Sequence, residues 1–208
     1  MYREPNKRFS PRRESVVNRG QASALAASQP QRAFDLARTI PEGWYRCQAM
    51  ADIGLHAPDP LSERAFGQAR AAAAAGDDNY QRAGVLAFAI TAALGRGRRD
   101  LANAMLADAL ALIPSVEPMG SRAYAVNLLW STIAHNGDRA MREAVIAATT
   151  AHVHPDRSWR AKGLFRDIVA NLAWDRPDLA EALIRAMPEG KARAFIERRR
   201  VEGERRRP

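Results

Sequence analysis

DDNYQRAGVLAFAITAAL, residues 77–94, is a charged entry followed by an apolar run, and its layout returns along the chain. GWYRCQAMADI (43–53), GSRAYAVNLLWSTIA (120–134) and DRSWRAKGLFRDIVANLA (156–173) share it. Each has a turn residue, usually an aromatic, then an arginine, then an apolar residue four positions on. The arginines are Arg46, Arg82, Arg122, Arg160 and, more weakly, Arg193, separated by 36, 40, 38 and 33 residues. A period in that range marks stacked helical hairpins, because one hairpin cannot bury its own apolar side.

The first and last copies match most closely. AFDLARTIPEG (33–43) aligns without gaps on AEALIRAMPEG (180–190), and the same offset of 147 residues carries Arg46 onto Arg193. Between them the chain reads as helices punctuated by Pro and Gly. Ser10-Pro11 has the form of an N-cap and first helical residue. Phe34, Ala37 and Ile40 fall on one face of a helix stopped by Pro41-Glu42-Gly43. The Ala-rich helix from Leu61 is closed by Gly76, and five consecutive alanines at 71–75 suit a close helix approach. Asp78 with Gln81, and Asp178 with Glu181, have capping-box spacing. Leu101, Met105 and Leu112 face Val126, Leu129, Trp130 and Ile133 across a Pro-rich turn. Leu164, Ile168 and Leu172 recur every four residues. No segment alternates with β-branched enrichment as a strand would.

The expected fold is therefore all-α, a right-handed stack of antiparallel helical hairpins (an α-solenoid) with about ten or eleven helices. Its expected division is a basic arm at 1–9, one helical-repeat domain at 10–200 and a basic tail at 201–208. The expected hairpins join the helix before each repeated arginine to the helix that carries it.

With 208 residues, 47% of them hydrophobic, the chain is long enough for one well-buried unit. A single cysteine, Cys47, excludes an internal disulfide and fits a reducing compartment. No secretory signal is legible in the charged first twenty residues. The longest uncharged runs, 83–95 and 123–137, fall short of the roughly 18 apolar residues a membrane span needs. A cytoplasmic protein without membrane contact is expected. The net charge of +9 sits at the ends: residues 1–20 carry +4 and residues 191–208 carry +5, so the body is neutral. Attraction to phosphate would come mainly from those ends.

The pattern Arg-Ala-x-x-Leu/Val at Arg82, Arg122 and Arg160 is similar to the second helix of HEAT repeats. There an arginine follows an acid at the helix entry, a place filled here by Asp77 or Asp78 and by Asp156. The chain resembles an α-solenoid of the HEAT or tetratricopeptide kind from about Gln31 to Arg200. The tetratricopeptide signature Leu-Gly-x-x-Tyr is absent, and the period is nearer 37 than 34. The resemblance is to an architecture, and it implies a partner-binding scaffold more than chemistry.

Two roles are open for Arg46, Arg82, Arg122 and Arg160. A cation in the first turn of a helix opposes the helix dipole, so its recurrence needs a cause. One cause is structural: a pair with an acid or carbonyl on a neighbouring helix, with Asp35, Asp108, Glu143 and Glu181 as candidates. The other is a ladder on the concave face that reads an acidic peptide or phosphates. Arg12 and Arg13 near one end, and Arg198, Arg199, Arg200, Arg205, Arg206 and Arg207 at the other, form basic clusters able to hold nucleic acid or an acidic partner. Trp44, Trp130, Trp159 and Trp174, with Tyr45, Tyr80 and Tyr124, are either wedges between repeats or a stacking surface.

His152 and His154 are too few for zinc and have no cysteine beside them. Cys47 lacks a histidine at an interpretable spacing. No phosphate loop, nucleophile elbow or His-Glu-x-x-His is present. Neither a cofactor nor an enzymatic activity is expected; a glycosylase of HEAT-like fold would want a basic concave wall, and the body is neutral. The expected function is a non-enzymatic scaffold that binds a protein or peptide. The alternative is a nucleic-acid-associated protein that uses its basic ends. The assignment of Leu86 and Leu164 to the inter-helix core predicts that either change to Ala costs about 2–5 kcal/mol in chemical unfolding. A change under about 0.5 kcal/mol in both would place them on the wrong face.

Overall fold

The computed structural model describes residues 11–205, and every regular element in it is helical. Eleven α-helices follow one another among the described residues: α1 (Pro11–Leu25), α2 (Pro30–Arg38), α3 (Gly43–His56), α4 (Leu61–Ala74), α5 (Asn79–Gly95) and α6 (Arg99–Leu112), then α7 (Met119–Asn136), α8 (Arg139–His152), α9 (Trp159–Asp175), α10 (Pro177–Ala186) and α11 (Lys191–Arg205). Short 3-10 turns at Ile113–Ser115 and Pro155–Arg157 lead into α7 and α9. The fold is all-α, as the repeat pattern predicts.

Local chemistry sets the helix ends. The Asp78 carboxylate accepts the Gln81 N–H at 2.7 Å, and the Asp138 carboxylate accepts that of Met141 at 2.9 Å. Each satisfies a donor that has no partner inside its helix. At Asp78 the capping box is only half formed, because the Gln81 side-chain amide donates to Asp77 instead, at 3.4 Å. The box expected at Asp178 does not form. Pro177 occupies the first turn, so Arg176 is the N-cap and Asp178 lies inside the helix, paired with Arg176 at 2.8 Å. The cap expected at Ser10 falls outside the described residues.

Packing follows chain order. Each helix packs on helices one and two places along, and extensive pairing with a more distant helix is absent among the described residues. The odd-numbered helices form one row: α3 packs broadly on α5, α5 on α7 and α7 on α9. The even-numbered helices cover its side and touch one another far less. One apolar core runs through the stack from Ala22 to Ile196, with Leu86 and Leu164 both buried in it.

Polar groups join the odd row from within. Thr132 Oγ1 on α7 lies 3.2 Å from Thr91 Oγ1 and donates to Ala87 O at 3.3 Å on α5. The Trp130 indole donates to Asn171 Oδ1 on α9 at 2.8 Å. The ion pair of Arg70 with Asp108 links α4 to α6 at 2.6 Å, and that of Arg98 with Asp59 links α6 to the turn before α4 at 2.7 Å. Both are about half exposed, and such pairs contribute roughly 0–1 kcal/mol each.

The hairpin pairing differs in phase from the expected one. The closest pairs are α3 with α4 and α5 with α6, whereas α6 reaches α7 mainly through the turn at 113–115. The connections before α7 and α9 run over six residues each and include a 3-10 turn, while those after α3 and α5 have four and three. Small residues then let α3 and α4 approach. On α3, Gly54 meets Phe66 and Gly43 meets the Ala72 backbone of α4, and Ala65, Ala69 and Ala72 on α4 are buried. The Ser62 hydroxyl donates to the Gly54 carbonyl at 2.6 Å across the same contact.

The Phe66 ring seats where Gly54 has no side chain, and a Cβ there would fall 2.8 Å from Cε1 and Cζ. Phe66 is fully buried and has no room to yield. Gly54→Ala should therefore destabilise the fold by about 1–3 kcal/mol, against the gain Ala usually brings inside a helix. Thermal unfolding of the variant measures it, and an unchanged or raised melting temperature would contradict this packing.

Candidate functional site

Four of the five repeated arginines share one geometry. Each reaches back six residues to a carbonyl in the loop that precedes its own helix. Arg46 Nη1 donates to Ile40 O at 2.7 Å, and Arg82 Nε to Gly76 O at 2.8 Å. Arg122 Nε donates to Val116 O at 2.9 Å, and Arg193 Nη1 to Met187 O at 3.5 Å. The acids considered as partners have other contacts: Asp108 pairs with Arg70, Glu143 with Arg139, and Asp35 accepts from Gln31. The shared acceptor, six residues back, is a carbonyl of the loop, and Arg122 reaches a carbonyl of a neighbouring helix as well.

Arg122 does most. It also donates to Pro114 O and His152 O, each at 2.9 Å, and to Glu117 at 2.7 Å, with its side chain only 11% exposed. A single guanidinium thus ties the loop before α7 to the end of α8. Planar geometry with five donors makes arginine suited to this, and lysine is not.

Arg160 departs from the pattern. Its own i−6 carbonyl, on His154, already accepts the Arg157 N–H at 3.1 Å within the 3-10 turn. The guanidinium lies instead 5.5 Å over the Tyr124 ring and 5.3 Å over the Trp159 ring, exposed. Cation–π contact of this kind orients a guanidinium without neutralising it.

Tyr124 ends a stack that crosses the odd row. Trp44 on α3 stacks on Tyr80 of α5 at 5.9 Å, and Tyr80 on Tyr124 of α7 at 6.1 Å, with planes inclined by 21° and 24°. Phe88 meets Trp44 edge-on at 6.2 Å. The Tyr80 hydroxyl is pushed above its ordinary pKa, first by burial and then by Tyr124, with Arg160 acting in the opposite direction.

Glycines make the stack possible. α5 carries Tyr80 two before its arginine and Gly84 two after, whereas α7 carries Gly120 two before and Tyr124 two after. A Cβ at Gly84 would touch Trp44 and Leu128, and one at Gly120 would touch Ser158 and the Arg160 stem. A shift of four residues is about one helical turn, so the tyrosine keeps its face.

The same face is apolar and open. Tyr124 is 42% exposed, Phe88 40% and Trp159 78%. A cleft of about 650 Å³ opens between the starts of α3 and α5, lined by Arg12, Glu42, Trp44, Tyr45, Asp77 and Tyr80. A second, of about 370 Å³, lies farther along the same helices and is lined by Asp52, Leu55, Phe88, Thr91, Leu128 and Asn136. Asp52 accepts a hydrogen bond from the Ser23 hydroxyl. The Arg12 guanidinium is pushed above its ordinary pKa, chiefly by its hydrogen bond and charge interaction with Tyr45, then by Glu42.

The remaining candidates are dispersed. Arg13 is exposed on α1, and Arg198 and Arg199 are exposed on α11, where Arg199 lies over Phe195 at 5.6 Å. Arg200 and Arg205 belong to the last turns of α11, while Arg206 and Arg207 fall outside the described residues. Cys47 is buried, and desolvation pushes its thiol to about 12 against the pull of Arg46. His154 accepts the Asp156 N–H through Nδ1 at 3.3 Å, a turn-capping contact. Trp130 is buried as a wedge between helices. No group of three or more His, Cys, Asp or Glu among the described residues is placed to hold a metal ion. None of the helices there is long and apolar enough to cross a membrane.

Phe88, absent from the sequence-derived candidates, lies eight residues from Tyr80 with Gly84 midway. That spacing of four is the signal for an aromatic stripe on one helix face. No known protein-family model, curated protein or solved structure matches the chain.

The two kinds of arginine are separable by experiment. Arg122→Met keeps the apolar stem and strips the donors from several loop carbonyls, and should cost about 2–3 kcal/mol in urea unfolding. Arg160→Met should cost less than about 1 kcal/mol, since its side chain is exposed and gives up only the ring contacts. Equal losses in the two variants would contradict the division.

Proposed function

We propose that the chain is a non-enzymatic scaffold that binds a peptide, or an extended segment of another protein, on the open face of its odd-numbered helices. The single observation that carries this reading is the aromatic stripe on that face. The outward positions of α5 and α7, namely Tyr80, Phe88, Thr91, Tyr124, Leu128 and Ser131, carry no formal charge. Exposed aromatics that are contiguous, bordered by polar groups and stacked into fixed orientations mark interaction surfaces.

The resemblance to HEAT-like and tetratricopeptide-like solenoids of about five hairpin repeats points the same way. Closer packing within the odd row than within the even row bends such a stack towards the odd row. The aromatic face is then the hollow side, where an extended ligand meets several repeats at once. Arg46, Arg82 and Arg122 contribute by fixing the loops behind that face, and Arg160 stands on it.

A library of random dodecapeptides displayed on phage and panned against the whole chain tests the reading. Enriched sequences should be retained at least about tenfold less by Phe88→Glu and Tyr124→Glu variants of unchanged circular dichroism and melting temperature. Absence of any enriched sequence, or equal retention by the variants, would refute it. An oligonucleotide that binds both variants but not Arg198→Glu/Arg199→Glu would move the function to the basic end of α11.

A further inference from the structure

The binding face carries opposite charges at its two ends, and this selects the ligand. At the α3 and α5 end, the carboxylates of Glu42 and Asp77 line the 650 Å³ cleft, where Arg12 is their one cationic companion in the lining. Glu42 acts electrostatically on Arg12, whereas Asp77 makes no ion pair among the described residues and is exposed. The nearest repeated arginines, Arg46 and Arg82, have donors turned into the loop carbonyls of Ile40, Pro41 and Gly76 and line no part of that cleft.

At the α9 end the balance reverses. Arg160 is exposed, oriented by two rings, and has no carboxylate within ion-pair distance among the described residues. Arg157, also exposed, precedes it by three residues with the exposed Asp156 beside it, while Lys162 turns away to lie 5.0 Å over the Phe195 ring. A guanidinium set over aromatic rings is not neutralised by them and keeps N–H donors for an anion.

Between the two ends run the uncharged rings of Trp44, Tyr80 and Tyr124. The three steps from Trp44 to the Arg160 guanidinium measure 5.9, 6.1 and 5.5 Å. An extended chain, rising about 3.3 Å per residue, covers that distance in about five residues.

We propose that the face binds a short extended segment of a partner protein that carries an arginine or lysine at one end and a carboxylate about five residues away. The cation enters the cleft beside Glu42, Asp77 and the rings of Trp44, Tyr45 and Tyr80. The carboxylate meets Arg160. Apolar residues between them lie across Tyr80 and Tyr124. Arg12 and the partial positive charges at the starts of α3 and α5, about half a charge each, oppose the cation and offset Glu42; the exposed Asp77, which has no ion pair among the described residues, is the carboxylate left to meet it. Side chains alone define the two ends, so either chain direction of the ligand satisfies the face.

This inference rests on the scaffold reading, and the composition of the panned peptides separates the two. Sequencing of the pool retained by the unaltered chain should show basic and acidic residues enriched together at a spacing of about five, in either order. Panned against Arg160→Glu, the pool should exchange its acidic member for a second basic one. Panned against Asp77→Lys, it should exchange its basic member for a second acidic one. Asp77 and Arg160 are exposed, so both variants should fold, as circular dichroism will check. A synthetic dipolar peptide from the pool should bind the unaltered chain about tenfold or more tightly than its citrulline-for-arginine and glutamine-for-glutamate analogues. Enriched peptides with no charge signature, or a signature unmoved by both variants, would overturn this proposal and leave the scaffold reading standing. If self-association at low salt is lost in Asp77→Lys, the segment belongs to a second copy of this chain and the charge rule holds. Self-association unchanged in Asp77→Lys and in Arg160→Glu, together with a pool that lacks the signature, would overturn it.

Discussion

The contact on which the stack depends is a guanidinium turned back upon the loop that delivers it. Successive helices need a fixed angle between them, and the short loops that join them leave carbonyls without a backbone donor. An arginine in the first turn supplies the missing donors, at i−6 in Arg46, Arg82, Arg122 and Arg193. The helix dipole disfavours a cation there by a few tenths to about 1 kcal/mol. Each charge-assisted hydrogen bond is worth about 1.5–3 kcal/mol, so the clamp wins even when only one or two form.

That rule was half legible in the sequence. The recurrence of Arg46, Arg82, Arg122, Arg160 and Arg193 revealed the period, and the period revealed an all-α array, because helical hairpins of that length leave an apolar side uncovered. The acceptor was not legible. Carboxylates such as Asp108 and Glu143 attract attention as letters, whereas a carbonyl belongs to every residue and leaves no mark in the sequence. Pairing phase was hidden for a related reason. The closeness of α3 and α4 comes from Phe66 seated on Gly54 and from the Ala72 backbone set against Gly43. A sequence shows these residues without showing that they meet.

The candidate site illustrates the same limit in sharper form. Trp44 and Tyr80 each precede the repeated arginine by two residues, and in α7 that place is Gly120. Aligned column by column, the aromatic seems to lapse in the third repeat. On a helix it has moved one turn, to Tyr124, and the stack continues at 6.1 Å. Gly84 and Gly120 record the exchange, since each takes the smaller residue where a neighbour's ring or arginine stem approaches. Reading columns loses a surface that reading faces retains.

Arg160 stands apart from the other four. At this position the carbonyl six residues back, His154 O, lies in the 3-10 turn at 155–157 and accepts the Arg157 N–H, and the guanidinium goes to the Tyr124 and Trp159 rings instead. Released into water, an arginine would wander among rotamers at a cost of up to about 2 kcal/mol for anything that had to order it. Tyr124 and Trp159 hold it in place beforehand, and a ligand meeting it is spared most of that cost. The same residue type thus serves stability at four positions and presents a charge at the fifth. What separates the roles is where the guanidinium lies: on the loop carbonyl six residues back, or over two rings on the open face.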